Sequence, residues 1–403
     1  MRLRSISNGM KVALTHDYLN QLGGAERVLE VFAEMYPDAP IYTILYDERL
    51  TLGKFSNKFI NESKKSPNES EQKNTASSKR KIITSFLDNP FVRKNHRLFI
   101  PLMPLAMRFL KIGPEYDFVI SSSAGFAKGI RINKNTHHLA YIHTPLRYAW
   151  EESYIPPEFN SFMKLFFKPL LWYLKRWDYK VAKKPDILIA NSSFISSKIK
   201  QYYNRDSIVV YPPVDLSVFY PPEIIPEKKE YFLAVGRFLH YKKFDFVIEV
   251  FRELGLHIKI VGQGPEEARI KKMAEGAPNI EFIPFVESNA ELRNLYQNAR
   301  ALVFPQIEDF GLVAAEAIAC GTPVIAYNAG GAKEIVNAHS GTLFPQQTKK
   351  FLIKGINEFI AKELNFKPEI IAEQARKFSK ENFIEEIEKI IKKYFSDMGL
   401  SNS

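Results

Sequence analysis

ALVFPQIEDFGLVAAEAIACGTPVIAYNAGG, from Ala301 to Gly331, reads as strand, helix, strand. The runs ALVFPQ (301–306) and PVIAYNAGG (323–331) are apolar and end in proline or glycine, and GLVAAEAIA (311–319) between them has helical length. An apolar run buried on both faces, then a helix, then another such run is the pattern of a parallel sheet with crossover helices. Three acids interrupt the apolar character. Glu308 and Asp309 stand where the first strand hands over to the helix, and Glu316 lies inside it.

The same alternation extends in both directions. Towards the N-terminus of the second half lie the strands YFLAVGRF, HIKIVG and IEFIPF, separated by the helical patterns FVIEVFREL, EARIKKMAE and AELRNLYQNA. The first half repeats the plan with KVALTH, IYTILY, DFVISSS, HLAYIHT, DILIAN and SIVVYP, and with the helix GAERVLEVFAEMY after the first strand. Two series imply an α/β chain of two doubly wound, Rossmann-like domains. YPPVDLSVFYPPEIIPEKKE (211–230) carries five prolines and reads as the linker. The expected division is an N-terminal domain over 1–215, a C-terminal domain over 216–378 and a terminal helix over 379–403, with Ser379 as its N-cap. Residues 61–81 contain no large apolar side chain and are expected to form a disordered surface insertion.

Composition narrows the class. The 403 residues are 45% hydrophobic and 25% charged, as in an ordinary globular protein, and no run is long and apolar enough to span a membrane. The first residues lack the apolar core of a secretory signal, and the single cysteine, Cys320, rules out an intramolecular disulfide and a thiolate-built zinc site. A reducing cytoplasm is the expected compartment. The net charge of +11 is unevenly held: residues 1–215 carry 32 Lys and Arg against 20 Asp and Glu, and the remainder 24 against 25. A basic half suits phosphorylated ligands, an anionic membrane or nucleic acid, and equally a solvated surface.

In doubly wound sheets, ligands bind beyond the carboxyl ends of the strands, where helix N-termini point at them. The backbone N–H groups of Gly311, Leu312 and Val313 open such a helix and form an anion site, with Phe310 beside them. Glu308 stands ahead of it as a hydroxyl acceptor, and Glu316 lies roughly 7.5 Å up the helix. Two carboxylates flanking a diphosphate site suit a sugar nucleotide. The alternative is a capped surface helix, with Asp309 as cap and Glu316 on the outer face. Arg237 and Lys242, in AVGRFLHYKKFD, follow another strand exit and would neutralise a diphosphate leaving group. Gly262, in VGQGP, marks a tight turn that serves packing or ligand approach equally well. In the first half, Gly23 and Gly24 separate the first strand from its helix without forming the GxGxxG fingerprint, which argues against a nicotinamide cofactor. His143, in YIHTPLRYAWE, stands at a strand exit, either to meet a sugar hydroxyl or simply to pack a turn. No Asp-x-Asp pair is present, so neither a metal nor a cofactor is expected.

These motifs resemble the family 4 glycosyltransferases of GT-B architecture over nearly the whole chain outside the polar insertion. The resemblance rests on Glu308 and Glu316 in EDFGLVAAE, on GRFLHYKKFD, GQGP and AGGAKEIV, and on LGGAERV and ANSSF in the first half. Lys243 departs from the pattern, since many members carry glycine there. THDYLNQLGGAERVLEVF, PLMPLAMRF and HTPLRYAWE are similar to a bacterial mannosyltransferase-like subgroup that builds O-antigen and other surface polysaccharides. The resemblance implies two domains facing across a cleft, the final helix returning to the first, and retaining, metal-independent transfer from a nucleotide-diphosphate sugar. It implies Glu316 on the ribose, Arg237 and Lys242 on the diphosphate, and Glu308 on hydroxyls of the donor sugar. Gly24 would admit the phosphate and His143 would meet the sugar near the reaction centre. GDP-mannose is the expected donor and a glycan, lipid-linked in this subgroup, the expected acceptor.

Two segments bear on a membrane partner. FMKLFFKPLLWYLKRWDYKVAKK (162–184) mixes aromatic residues with Lys175, Arg176, Lys180 and other bases, and Pro169 is expected to break or kink a helix there. FIPLMPLAMRFLK (99–111) is a second apolar stretch. Both can bury their apolar faces in the core or anchor the chain peripherally to an anionic inner leaflet. A sugar-nucleotide epimerase of similar fold is the rival enzyme, and a UDP-sugar the rival donor. A nucleic-acid partner is not expected, because no recognised RNA- or DNA-binding motif accompanies the basic half.

Overall fold

The computed structural model describes residues 10–56, 79–151, 161–224, 230–284, 286 and 288–399, with backbone alone for 161–167. Two parallel sheets carry the fold. The first is built from β1 (Val12–His16), β2 (Ile41–Thr43), β3 (Ile82–Thr84), β4 (Phe118–Ser123), β5 (His137–Ile142), β6 (Ile187–Ala190) and β7 (Ile208–Val209). Its order is β3-β2-β1-β4-β5-β6-β7. The second is built from β8 (Tyr231–Val235), β9 (Ile258–Val261), β10 (Ile280–Ile283), β11 (Ala299–Phe304), β12 (Val324–Tyr327) and β13 (Gly341–Phe344), in the order β10-β9-β8-β11-β12-β13. In each sheet the order reverses beside the first strand, between β1 and β4 and between β8 and β11. Those are the switch points at which such sheets open a crevice.

The described residues divide into two compact units. Unit 1 takes those of Met1–Asn191, Ile195–Val210 and Glu386–Ser403, and unit 2 those of Ser192–Phe194 and Tyr211–Glu385. In unit 2 the pleat sorts side chains to the two faces of the sheet. Leu302 and Phe304 of β11 pack with Leu233 and Val324 on one face, while Ala301 and Val303 pack with Phe232, Ile258 and Ile325 on the other. Both faces are covered, so the strands read as continuous apolar runs rather than as alternating ones.

The helix Lys380–Asp397 starts on Ser379, whose Oγ accepts a hydrogen bond from the Asn382 amide at 3.1 Å. Its later turns pack on the first sheet, where Phe395 lies 5.6 Å from Phe118 and the Tyr394 hydroxyl 2.9 Å from His137 Nδ1. The sequence does not announce β3 or β13. Each is an edge strand of three or four residues, too short to show a period. Most of the expected insertion, residues 61–78, lies outside the described residues. Its last three residues are ordered, which corrects that reading at Lys79–Lys81. Arg80 is buried and donates to the carbonyls of Ala33, Tyr36 and Ala39, gathering the end of one helix and the turn after it. Pro169 does not break its helix, which runs unbroken over Ser161–Val181. Over twenty-one residues, the loss of one N–H is carried by the bonds on either side.

Candidate functional site

In unit 2 the switch point brings together most of the residues singled out from the sequence. β11 ends at Phe304, and the chain turns through Glu308 to Gly311, which N-caps the helix Leu312–Ala319 at φ +109°. That left-handed backbone strains any side chain, and a Cβ would also stand 3.1 Å from the Phe304 ring. The first bond into the helix runs from Ala314 N–H to Gly311 O at 2.9 Å. The N–H groups of Leu312 and Val313 therefore lie ahead of the ladder, as an anion site requires. The loop before them is held by unlike means: Gly331 N–H donates to Glu308 O at 2.9 Å, and Ser192 Oγ–H donates to Asp309 O at 2.5 Å. Phe310 is buried between Tyr211 and Phe378, at ring distances of 5.7 and 5.3 Å.

Glu308 is ion-paired with Lys242, and their side chains are 16% and 15% exposed. Lys242 closes a 3₁₀ turn, His240–Lys242, that follows the exit of β8. Arg237 is exposed on the same exit. Gly262 stands at the exit of the neighbouring strand, β9. Its amide donates to Ile283 O at 3.3 Å, and a Cβ there would stand 2.0 Å from the carbonyl oxygen of Gly236. Close backbone approach alone accounts for this glycine. Glu316 is 2% exposed and accepts a hydrogen bond from the Tyr296 hydroxyl at 3.2 Å. The surface-helix alternative fails: Glu316 is buried, and the residue at the helix cap is Gly311. Tyr296 could not be picked out from sequence, because it lies twenty residues from its partner on another helix. Lys243, the departure from the family pattern, sits in the left-handed region at φ +61° and N-caps the helix Phe244–Leu254.

Unit 1 holds His143, Gly23 and Gly24. Gly23 is the N-cap of the helix Gly24–Met35, and His143 follows β5 directly. His143 is 9% exposed and its Nε2 lies 2.7 Å from Ser122 Oγ. Burial, with His16 nearby, pushes its pKa down to about 3, so the ring is neutral at physiological pH. Ser122 Oγ in turn lies 3.1 Å from His16 Nδ1, and His16 Nε2 lies 3.5 Å from Glu26 Oε1. The neighbouring Asp17 accepts from the amides of Ala124, Phe126 and Ala127 at 2.5–2.6 Å, fixing the loop after β4. His16, Asp17, Glu26 and Ser122 were not singled out from sequence. Their one signal was HD at the end of the first strand, and only strand pairing brings Ser122 beside it.

This chain is similar to known proteins over parts of its sequence and in its fold. It is 27% identical over 176 residues to the GDP-mannose-dependent α-(1-6)-phosphatidylinositol dimannoside mannosyltransferase of Mycobacterium tuberculosis, covering 40% of this chain and 46% of that protein. It is 25% identical over 188 residues to the O-antigen chain mannosyltransferase C of Escherichia coli, covering 43% and 50%. The chain thus spans about half the length of these curated relatives. Among solved structures, Anabaena Alr3699/HepE in complex with UDP superposes with a TM-score of 0.66 at 19% identity, over 95% of this chain and 99% of that one, which fits the GT-B fold. Residues 22–218 match the model of Glycosyltransferase Family 4 and residues 220–378 that of Glycosyl transferases group 1, and these two domains in series indicate a GT-B glycosyltransferase of the family 4 type.

Proposed function

We propose that this chain transfers a sugar from a nucleotide-diphosphate sugar to a glycan acceptor, with retention at the anomeric carbon and without a metal ion. The observation that carries this reading is the arrangement at the switch point of unit 2. There Lys242 pairs with Glu308 ahead of the open N–H groups of a helix start, Arg237 lies on the exit of β8, and Glu316 is buried within the helix. The diphosphate takes the N–H groups of Gly311, Leu312 and Val313 together with Arg237 and Lys242. Glu316 receives the ribose hydroxyls and Glu308 those of the sugar. In the absence of donor Lys242 and Glu308 neutralise each other. Donor binding replaces that pair by two contacts, Lys242 to phosphate and Glu308 to sugar.

As the bond from the anomeric carbon to the phosphate oxygen breaks, negative charge collects on the leaving diphosphate, where Arg237 and Lys242 stabilise it. The departing oxygen takes the proton of the acceptor hydroxyl while the new bond forms on the same face of the sugar. GDP-mannose is the donor this reading favours, supported by the likeness to mannosyltransferases; the fold's likeness to a UDP-bound protein makes UDP-sugars the competing class. The test is a panel of GDP-, UDP- and dTDP-sugars with product anomers read by NMR, with and without EDTA. Retention, indifference to EDTA and turnover of GDP-mannose are expected. Inversion, loss of activity in EDTA, or turnover of UDP-sugars alone would each overturn its own part.

The acceptor in this reading is lipid-linked and is met at an anionic cytoplasmic membrane face, to which the chain binds peripherally. No helix among the described residues is long and apolar enough to cross a membrane. Instead unit 1 presents apolar side chains that its core leaves out. Met103, Ala106 and Met107 are buried, whereas Leu102, Leu105 and Phe109 are exposed, with Phe86 packed on Phe109. On the helix Ser161–Val181, Trp172 and Tyr179 are exposed, with Arg176 over the Trp172 ring at 4.8 Å and Lys183 over Tyr179 at 4.8 Å. Exposed aromatics beside bases suit the interface of an anionic bilayer, where each base contributes about 1 kcal/mol. Sedimentation should require anionic vesicles, weaken with salt, and fall when Lys175, Arg176 and Lys180 are changed together to Glu. A protein that stays in the supernatant with anionic vesicles at low salt has a soluble acceptor instead.

A further inference from the structure

We infer that Glu26, acting through His16 and Ser122, holds His143 in its Nε2–H tautomer, so that His143 Nδ1 is a hydrogen-bond acceptor for a substrate hydroxyl. The assignment of that hydroxyl to a sugar rests on the function proposed above; the tautomer does not.

Strand register builds the chain. β1 and β4 pair in parallel with His16 opposite Ser122, and β4 pairs with β5 so that His143 lies one residue past the partner of Ser123. All three side chains thus emerge at the carboxyl end of the sheet. Glu26 reaches them from the first turn of the helix Gly24–Met35, and a Cβ on Gly23 would stand 3.0 Å from its Oε2. Gly23, the first of the glycine pair, leaves room for the carboxylate. The members are 3%, 2%, 0% and 9% exposed in the order Glu26, His16, Ser122, His143. Water does not compete at the inner positions.

The direction of the bonds follows from Glu26. An ionised carboxylate only accepts, so His16 must turn Nε2–H towards it. A neutral His16 then has a lone pair on Nδ1, which accepts from Ser122 Oγ–H at 3.1 Å. The serine oxygen, its proton used, accepts from His143 Nε2–H at 2.7 Å. His143 Nδ1 is left as a lone pair. The reverse direction needs either the His16 Nε2 lone pair set against the carboxylate, two acceptors 3.5 Å apart in a buried site, or a cationic His16 donating from both nitrogens, which would put the proton on His143 Nδ1. Asp17 does not disturb this order, because three backbone amides occupy its oxygens. The Tyr141 ring, 5.1 Å from His143, directs its hydroxyl to Val210 O instead. Glu26, His16 and Ser122 are positioning residues, and His143 is the group that meets substrate.

The test is ¹⁵N-histidine labelling of the full chain, read by long-range proton–nitrogen correlation. In the native protein His143 Nδ1 should carry the signature of an unprotonated ring nitrogen and Nε2 that of a protonated one. Glu26→Leu removes the acceptor, and Nδ1 should move towards the protonated signature, with kcat reduced about tenfold and the donor KM little changed. Glu26→Gln keeps an oxygen that can accept from His16 and should hold the native pattern. A protonated Nδ1 in the native chain, an unchanged spectrum in Glu26→Leu, or a Gln variant that behaves like Leu overturns the inference. The spectrum is independent of turnover. Failure to use any nucleotide sugar would sink the proposed function and leave the tautomer readable.

Discussion

The two units share one architecture but bury polar groups in opposite ways. Unit 1 encloses His16, His138 and His143, the carboxylates Asp17, Glu26 and Asp178, and the bases Arg80, Lys128 and Lys198. Among its described residues, unit 2 encloses Asp309 and Glu316 and no base or histidine. Buried charge is tolerated only when it is paired and hydrogen-bonded. Unit 1 pairs Lys128 and Asp178 within itself. Lys128 Nζ lies 2.6 Å from Asp178 Oδ1, and the other Asp178 oxygen accepts from the Tyr203 hydroxyl at 2.7 Å and from Trp150 Nε1 at 2.8 Å. Unit 2 keeps Arg237, Lys242 and Glu308 at an accessible crevice. A unit that completes its own charges presents neutral hydrogen-bonding groups to a ligand, whereas one that leaves charges at its mouth is suited to a ligand bringing the opposite sign.

The sharpest way to break this contrast is Asp178→Ala. It strands Lys128, which is fully buried, and should destabilise unit 1 by about 3–5 kcal/mol. Hydrogen exchange should rise in β4 and β5 while β8 and β11 stay protected. Equal loss in both units would mean that they unfold as one. Replacing Lys128 and Asp178 together by Met and Leu should recover most of the stability, since an apolar pair needs no partner.

Glu308→Ala and Lys242→Ala probe the opposite case. Their charges serve a ligand rather than the fold, so each should lower kcat about 10²–10³-fold. Stability should move by no more than about 1 kcal/mol, because a pair this close to solvent contributes little. A kcat near that of the native chain, or a large drop in melting temperature, would return the pair to a structural role.

Acid separates the units more gently. Burial lowers the pKa of both His138 and His143 to about 3. Between that value and the ordinary one near 6.5, the unfolded chain binds protons that folded unit 1 excludes, so stability rises with pH across this window. From pH 7.5 to pH 5, each histidine should therefore cost unit 1 up to about 2 kcal/mol. Unit 2 buries no histidine among its described residues. Exchange protection that falls in parallel in both sheets between pH 7.5 and 5 would remove histidine as the cause.

The smallest expected effect lies at Lys243. Its left-handed backbone costs a non-glycine residue about 1–2 kcal/mol, partly offset by the freedom glycine brings to the unfolded chain. Lys243→Gly should raise the stability of unit 2 by up to about 1 kcal/mol, readable in its melting temperature. A destabilised variant would show that the lysine side chain contributes more than its backbone costs.

Sequence by itself determined the two series of buried strands, because a parallel sheet covered on both faces needs continuous apolar runs that no neighbouring chain has to explain. It also marked Glu308, Gly311 and Glu316, which share one strand–helix turn and whose spacing is therefore local. Tertiary structure alone decided that Glu316 is buried against Tyr296, that Glu308 pairs with Lys242 sixty-six residues away, and that His143 ends a chain begun by Glu26. It also decided which faces of 99–111 and 161–181 the core accepts, leaving Phe109 and Trp172 exposed where composition allowed either outcome. The physical reason is one of range. Burial pattern and turn chemistry are written in consecutive residues, whereas a hydrogen bond between strand ends depends on register, and register is set only when the whole sheet has paired.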